Sequence, residues 1–141
     1  MEPFTIRDFK QVANHNHPPP ACDTHMNVTV QRAEHGKSTG IWSPDERFVN
    51  GNGVVMGGLL SGATDILMAY ALASTLEDNQ SFASVDLHTT FHRPIFPGNV
   101  TVNAEVDKLG KKMAYVTAEL WQNDKKAAST VSSVFIQTNQ Q

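Results

Sequence analysis

GVVMGGLLSGATDILMAYALASTL, Gly53 to Leu76, carries a single charged side chain, Asp65. At about 100° per residue from Gly57 onward, apolar groups fall on nearly every face of a helix. Leu59, Leu60, Ala63, Ile66, Leu67, Tyr70 and Ala71 form the richest stripe, and Met68, Ala69, Leu72 and Ala73 fill much of the remainder. A helix apolar all round is buried on all sides, in a protein core or in a membrane. A lone carboxylate costs several kcal/mol there unless something compensates it, which marks Asp65 as the first candidate for chemistry. A transmembrane helix fits the length and the Gly58-x-x-x-Gly62 spacing. A central Asp, the lack of a basic flank and the strand-like remainder argue against it. A structural Asp that caps a neighbouring element is the other bland reading.

Outward from this helix, both flanks read as strands. Upstream, Met26–Glu34 alternates apolar and polar residues, His35-Gly36-Lys37 is a turn, and Ser38–Ser43 is a second strand. Pro44–Asn52 is a loop whose Asn-Gly pairs tolerate positive φ. Downstream, Ser81–Arg93, Val100–Leu109, Met113–Gln122 and Lys126–Thr138 are four strands joined by short turns. Within Ser81–Arg93, Val85, Leu87, Thr89 and Phe91 alternate with Asp86, His88, Thr90 and His92. Hairpin-linked strands are antiparallel and need an apolar element over their inner face. The central helix is the only candidate, so a six-stranded sheet is expected to wrap it.

The N-terminal part, residues 1–25, is expected to be an appendage to a domain spanning 26–141. Pro3–Asn14 suits a short amphipathic helix with Phe4, Ile6, Phe9 and Val12 on one side, and His15–Pro20 (HNHPPP) a rigid extended strap. His15, His17, Cys22 and His25 are metal-ligand types at no standard spacing, so no metal site is expected. His88 and His92 lie about 13 Å apart along a strand, too far to share an ion.

The 141 residues carry a net charge of −3 and a pI near 6.0, which argues against nucleic acid as a partner. Cys22 is the only cysteine, so no intrachain disulfide forms and a reducing compartment fits. The opening MEPFTIRDFK has no apolar run of the signal-peptide kind, and a cytoplasmic location is expected.

This order of elements resembles the hotdog fold, an α+β architecture, and within it the PaaI-like acyl-CoA thioesterases. The resemblance runs from about Lys37 to Gln137 and rests on NGNGVVMGGLLSGATD (Asn50–Asp65), SVDLHTTFHRP (Ser84–Pro94), PGNV (Pro97–Val100) and LGKK (Leu109–Lys112). It implies hydrolysis of acyl-CoA thioesters at sites shared between two subunits, with Asp65 as nucleophile or general base. The Gly57 backbone N–H, with Gly58 beside it, is implied as the oxyanion donor, a role suited to a helix N-terminus. Asn50 is implied to position water or thioester, and Ser84 to supply a hydroxyl near Asp65. Each also has a plain explanation: an Asn-Gly turn, the start of a strand, a helix-start turn. The chain departs from many relatives at Met56, where they carry His.

Gly57 and Asp65 are eight residues apart, about 12 Å along a helix axis, and rotated by roughly 80°. One carbonyl cannot touch both in one chain, so joint catalysis requires two antiparallel helices in a homodimer with two symmetric sites. A dimer of dimers, a homotetramer, is the further expectation. Arg93, Lys111 and Lys112 are candidate partners for the CoA phosphates. No cofactor is expected beyond CoA as part of the substrate. Met56, Met68 and Phe91 are candidate borders of an acyl tunnel, with core packing as their ordinary role. A hotdog hydratase wants a catalytic His near the helix, which Met56 speaks against. A non-catalytic module that binds acyl-CoA or another apolar ligand is the alternative function.

Overall fold

The computed structural model describes residues 2–139. Helix α1 spans Ile6–Ala13 and α2 Ala21–Met26, followed by strands β1 (Val28–Glu34) and β2 (Lys37–Trp42). A 3₁₀ turn at Glu46–Phe48 leads into α3 (Gly57–Ala73). Strands β3 (Gln80–Ser84), β4 (His88–Phe91), β5 (Val100–Leu109), β6 (Met113–Gln122) and β7 (Lys125–Thr138) complete the chain. All pairings are antiparallel, in the order β1-β2-β5-β6-β7-β3, with β4 also on β7. The sheet curls around α3, which packs chiefly against β5, β2 and β6. This is the hotdog architecture.

Inward-facing Leu60, Ala63, Leu67, Met68, Ala71 and Leu72 of α3 are buried against the sheet. The helix is not closed all round, however. Gly58 is exposed, while Gly62, Asp65, Ile66 and Ala69 are half-buried under the N-terminal segment: a Cβ at Gly62 would stand 3.2 Å from Met26 Cε, and the other three share a cavity wall with Phe4, Phe9 and Ala21. Strand β2 crosses the helix closely at Gly40, where a Cβ would stand 2.7 Å from the Thr29 carbonyl oxygen and 3.0 Å from Leu67 Cδ1. Beside that crossing, Ser38 Oγ donates to the Leu67 carbonyl at 2.6 Å.

The sheet has seven strands where six are expected, because Ser81–Arg93 forms two strands and not one. Ladder pairing runs to Ser84 opposite Val134 and resumes at His88 opposite Val131, so this side carries one extra residue. Asp86 makes the break: its Oδ1 accepts from the Ser133 N–H at 2.8 Å, and its carbonyl accepts from Ser132 Oγ at 2.8 Å. A side-chain carboxylate thus takes a position the ladder reserves for a peptide carbonyl. The apolar alternation there does not face a core either. Val85, Leu87 and Phe91 are 63%, 40% and 54% exposed, since this edge lies where the sheet has curled largely past the helix.

Helix α1 opens with a capping box, Thr5 Oγ1 accepting from Asp8 N and Asp8 Oδ2 from Thr5 N. It buries Ile6, Val12 and Ala13, and Lys10 Nζ donates to the Leu76 carbonyl at 2.8 Å. After the strap comes α2, an element not expected from the sequence. Extended Pro20 precedes its first turn, and Asn27 ends it with a left-handed φ of 62°. Trp42 Nε1 donates to the Met26 carbonyl and Tyr70 to Asp23, which tie α2 to the core.

Candidate active site

Asp65 lies two turns into α3, on the half-open stripe. Ser84, the last residue of β3, donates its hydroxyl to Asp65 Oδ1 at 3.4 Å. Burial raises the Asp65 pKa above the ordinary carboxylate value, and the Ser84 bond pulls partly back. Both residues line a cavity of about 710 Å³ whose other walls include Phe4, Phe9, Tyr70 and Phe82. A larger cavity of about 880 Å³, between the strap and β1, holds none of the candidate residues.

Gly57, the first residue of α3, follows Met56 in extended backbone with no side-chain cap. Its N–H has no intrahelical partner, as at any helix start. The Phe91 ring lies over it so closely that a Cβ would stand 3.0 Å from Phe91 Cζ. Gly57, Asn50 and Arg93 line a second cavity of about 360 Å³, with Phe91 and Leu60. Asn50 Oδ1 accepts from Asn52 N at 2.9 Å, and the Asn50 backbone N–H donates to the Val54 carbonyl at 2.8 Å. The side chain is therefore a turn-former through its oxygen, in a residue that also lines the cavity. Gly58 is open, a Cβ there meeting only Met56 Cε at 3.6 Å.

Two groups emerge within one chain: Asn50, Gly57 and Arg93 in one cavity, Asp65 and Ser84 in the other. Gly57 and Asp65 stand on one uninterrupted helix, about 12 Å apart along its axis. The three candidate cations are likewise divided. Arg93 N–H donates to Ala127, whereas the Lys112 carbonyl accepts from Ile136. Those two positions are about 30 Å apart on strand β7 at the usual rise. Lys111 and Lys112 are exposed in the β5–β6 hairpin, so one protomer does not bring them to Arg93.

Among the described residues no three His, Cys, Asp or Glu side chains are placed to hold a metal ion. The His15 ring contacts the Gln31 carbonyl at 3.2 Å and the His17 ring the Pro18 carbonyl at 2.7 Å. His92 contacts Ser129 Oγ at 3.2 Å. No helix of the described residues is long and apolar enough to cross a membrane. Of the expected tunnel residues, Met68 is buried in the core, Met56 is 47% exposed, and Phe91 lies in the Gly57 cavity. None borders the cavity that holds Asp65.

Two further features leave no mark in the sequence. The aromatic walls of the Asp65 cavity come from positions 4, 9, 70 and 82, far apart in the chain and joined by no motif. Four hydroxyls tie the edge strand to the helix: Ser61 to Thr89 at 2.7 Å, Thr89 to Thr130 at 2.9 Å and Thr130 to Thr64 at 2.9 Å. Threonines in strands read as ordinary β-formers, so only their meeting in space shows the network.

A helix start presenting a free N–H and a half-buried carboxylate on the same helix, inside a curled antiparallel sheet, define a hotdog protein of the thioesterase kind. Residues 52–129 match the profile of the thioesterase superfamily, and the chain belongs to that family. It is 37% identical over 92 residues to a candidate esterase of Pseudomonas aeruginosa, covering 64% of this chain and 68% of that one. A candidate thioesterase of Ralstonia eutropha related to phenylacetic acid degradation superposes with a TM-score of 0.85 at 25% identity, over 91% of this chain and 98% of its own. The E. coli PaaI protein of the phenylacetic acid degradation operon shares the fold, with a TM-score of 0.82 at 20% identity over 96% and 98%.

Proposed function

We propose that the protein hydrolyses acyl-CoA thioesters at two equivalent sites of a homodimer. Each site is built from Gly57 and Asn50 of one subunit and Asp65 and Ser84 of the other. The observation that carries this reading is the division of the candidate residues between two cavities. Exposed Gly58, where an added Cβ would meet only Met56 Cε, leaves the first turn of α3 open to close approach by a partner. In an antiparallel arrangement, Arg93 of one subunit and the Lys111–Lys112 hairpin of the other flank the same site and suit the CoA phosphates.

In the reaction, Asp65 takes a proton from water as the water oxygen bonds to the thioester carbon. The carbonyl electron pair moves to oxygen, where the Gly57 N–H stabilises it. The C–S bond then breaks, the pair returns to form the acid, and the proton passes to the CoA thiolate. A carboxylate with a raised pKa suits this base role. Such a substrate and the free thiol of Cys22 fit a cytoplasmic setting.

Subunit complementation tests the reading. Asp65→Asn removes the base. Gly57→Pro removes the N–H at the first helical position, where proline is tolerated and Met56 is already extended. Because any Cβ there presses on Phe91, Gly57→Ala, which keeps the N–H, is the control and should retain the larger share of activity. The Asp65→Asn and Gly57→Pro homodimers are each expected to lose about 10²-fold or more in CoA-thiol release. Random mixing should restore about a quarter of wild-type activity, since half the dimers then hold one intact site. Failure of mixed dimers to recover activity would reject the shared site. Acyl-CoA binding without turnover by wild type favours the alternative of a ligand-binding module, the reading that Met56 in place of His keeps open.

A further inference from the structure

The four hydroxyls between α3 and the sheet form a chain whose hydrogens have a fixed direction. Thr64 Oγ1 stands 2.8 Å from the Ser61 carbonyl oxygen, and because a carbonyl only accepts, the Thr64 hydrogen lies on that contact. The 2.9 Å contact between Thr64 and Thr130 therefore holds the Thr130 hydrogen. Thr130 in turn accepts from Thr89 at 2.9 Å, and Thr89 accepts from Ser61 at 2.7 Å. A hydroxyl has one hydrogen, so the first contact sets the rest. Thr64 and Thr130 are 0% and 1% exposed, which keeps water from reversing the order. Ser61 is half-buried at the open end and has committed its hydrogen to Thr89, so it presents only lone pairs outward. Donation along such a chain also strengthens its terminal oxygen as an acceptor.

Strand β4 places this acceptor beside the helix start. Thr89 and Phe91, two residues apart, share one face of β4. Thr89 meets Ser61, and the Phe91 ring lies over Gly57. Gly57, Ser61 and Asp65 occupy successive turns of α3, each about 6 Å and roughly 40° from the next. A helical side chain leans toward the helix N-terminus, so Ser61 covers the turn that contains Gly57 and Gly58. In the antiparallel dimer, the partner subunit's Asp65 approaches that same turn.

We propose that Ser61 positions the hydrolytic water. The water gives one hydrogen bond to the partner subunit's Asp65 and the other to Ser61 Oγ, which leaves a lone pair of its oxygen for the thioester carbon. This inference rests on the thioesterase reading and adds to it a residue that reading does not use. As the water oxygen bonds to carbon, the hydrogen on Asp65 leaves as the proton. The hydrogen on Ser61 stays behind as the hydroxyl of the carboxylic acid. The C–S bond breaks, and the proton passes from Asp65 to the CoA sulfur. A serine free to turn its hydrogen outward would hold the water in the opposite sense, and the chain to Thr64 removes that choice.

The test offers butanoyl-, palmitoyl- and benzoyl-CoA to wild type, Ser61→Ala, Thr130→Val and the double variant, with Asp65→Asn alongside, below the melting temperature of each. On the fastest ester, Ser61→Ala is expected to lower kcat about three- to tenfold, the contribution of one hydrogen bond, with KM nearly unchanged. Thr130→Val lets Thr89 turn to donate to Ser61 and frees the Ser61 hydrogen, so kcat should fall there too although Thr130 is buried. In the double variant that second loss should vanish, leaving the kcat of Ser61→Ala alone. An unchanged kcat in Ser61→Ala, a helix-favouring change that stands as a test even should Thr130→Val fail to fold, overturns the inference. So does a Thr130→Val loss that persists at full size in the double variant, the mark of a purely structural effect. Neither result touches the thioesterase reading while Asp65→Asn abolishes release of CoA thiol. Wild type without turnover, or turnover that survives Asp65→Asn, overturns both.

Discussion

The Ser84 hydroxyl donates to Asp65 Oδ1 at 3.4 Å and is that carboxylate's one side-chain hydrogen bond among the described residues. Because this bond favours the ionised form, Ser84→Ala should raise the Asp65 pKa further. In the proposed reaction Asp65 is a base only when ionised, so on that reading the acidic limb of the pH–kcat/KM profile should move to higher pH. A limb that stays in place in Ser84→Ala would separate Ser84 from the ionisation that controls the reaction.

The same shift has a consequence for stability. The folded pKa of Asp65 lies above its unfolded value, so the folded state holds the proton more tightly. Stability from this group is fully present below the unfolded pKa, near 3.8, and is lost as pH rises through the folded pKa. At neutral pH the ionised carboxylate is therefore a net cost. Asp65→Asn should melt a few degrees higher than wild type at pH 7, and the gain should vanish near pH 3.5.

Gly40 and Gly58 should respond oppositely to alanine. At Gly40 the added Cβ meets the Thr29 backbone oxygen at 2.7 Å, which cannot swing aside. Gly40→Ala should cost about 1–3 kcal/mol or more in denaturant unfolding. At Gly58 the nearest atom is the flexible end of Met56, 3.6 Å away. Gly58→Ala should leave the isolated fold within about 1 kcal/mol of wild type, on the stabilising side, because alanine is the better helix former.

Thr130 is 1% exposed and joins Thr64 and Thr89. Thr130→Val leaves those two hydroxyls without it, at a cost of about 1–3 kcal/mol. Since Thr89 holds β4 to the helix, faster amide exchange should appear at His88–Phe91 first. Uniform loss of protection over the whole sheet would show instead that the network acts on global stability alone.

The long helix and the antiparallel order were legible because a helix apolar on most faces admits few surroundings, and short turns fix the direction of their strands. Asp65 stood out for the same reason, as a charge in an apolar run. The break at Asp86 was hidden because an aspartate on the polar side of an alternating strand looks unremarkable until it bonds Ser133 N. Helix α2 was hidden by the prolines before it, which announce an extended strap but do not fix the conformation of Ala21–Met26. The aromatic cavity was hidden because periodicity describes neighbours along a chain, and Phe4, Phe9, Tyr70 and Phe82 become neighbours only after folding.

The Asp86 interruption also bears on what the chain can stick to. A continuous outer strand from Gln80 to His92, with Val85, Leu87 and Phe91 turned outward, would be a long adhesive template for any extended peptide. By spending a carboxylate on Ser133, the chain shortens β4, the part of that edge bearing Phe91, to the four residues of His88–Phe91. So short a segment admits few registers, which favours one ordered partner over open-ended fibre growth.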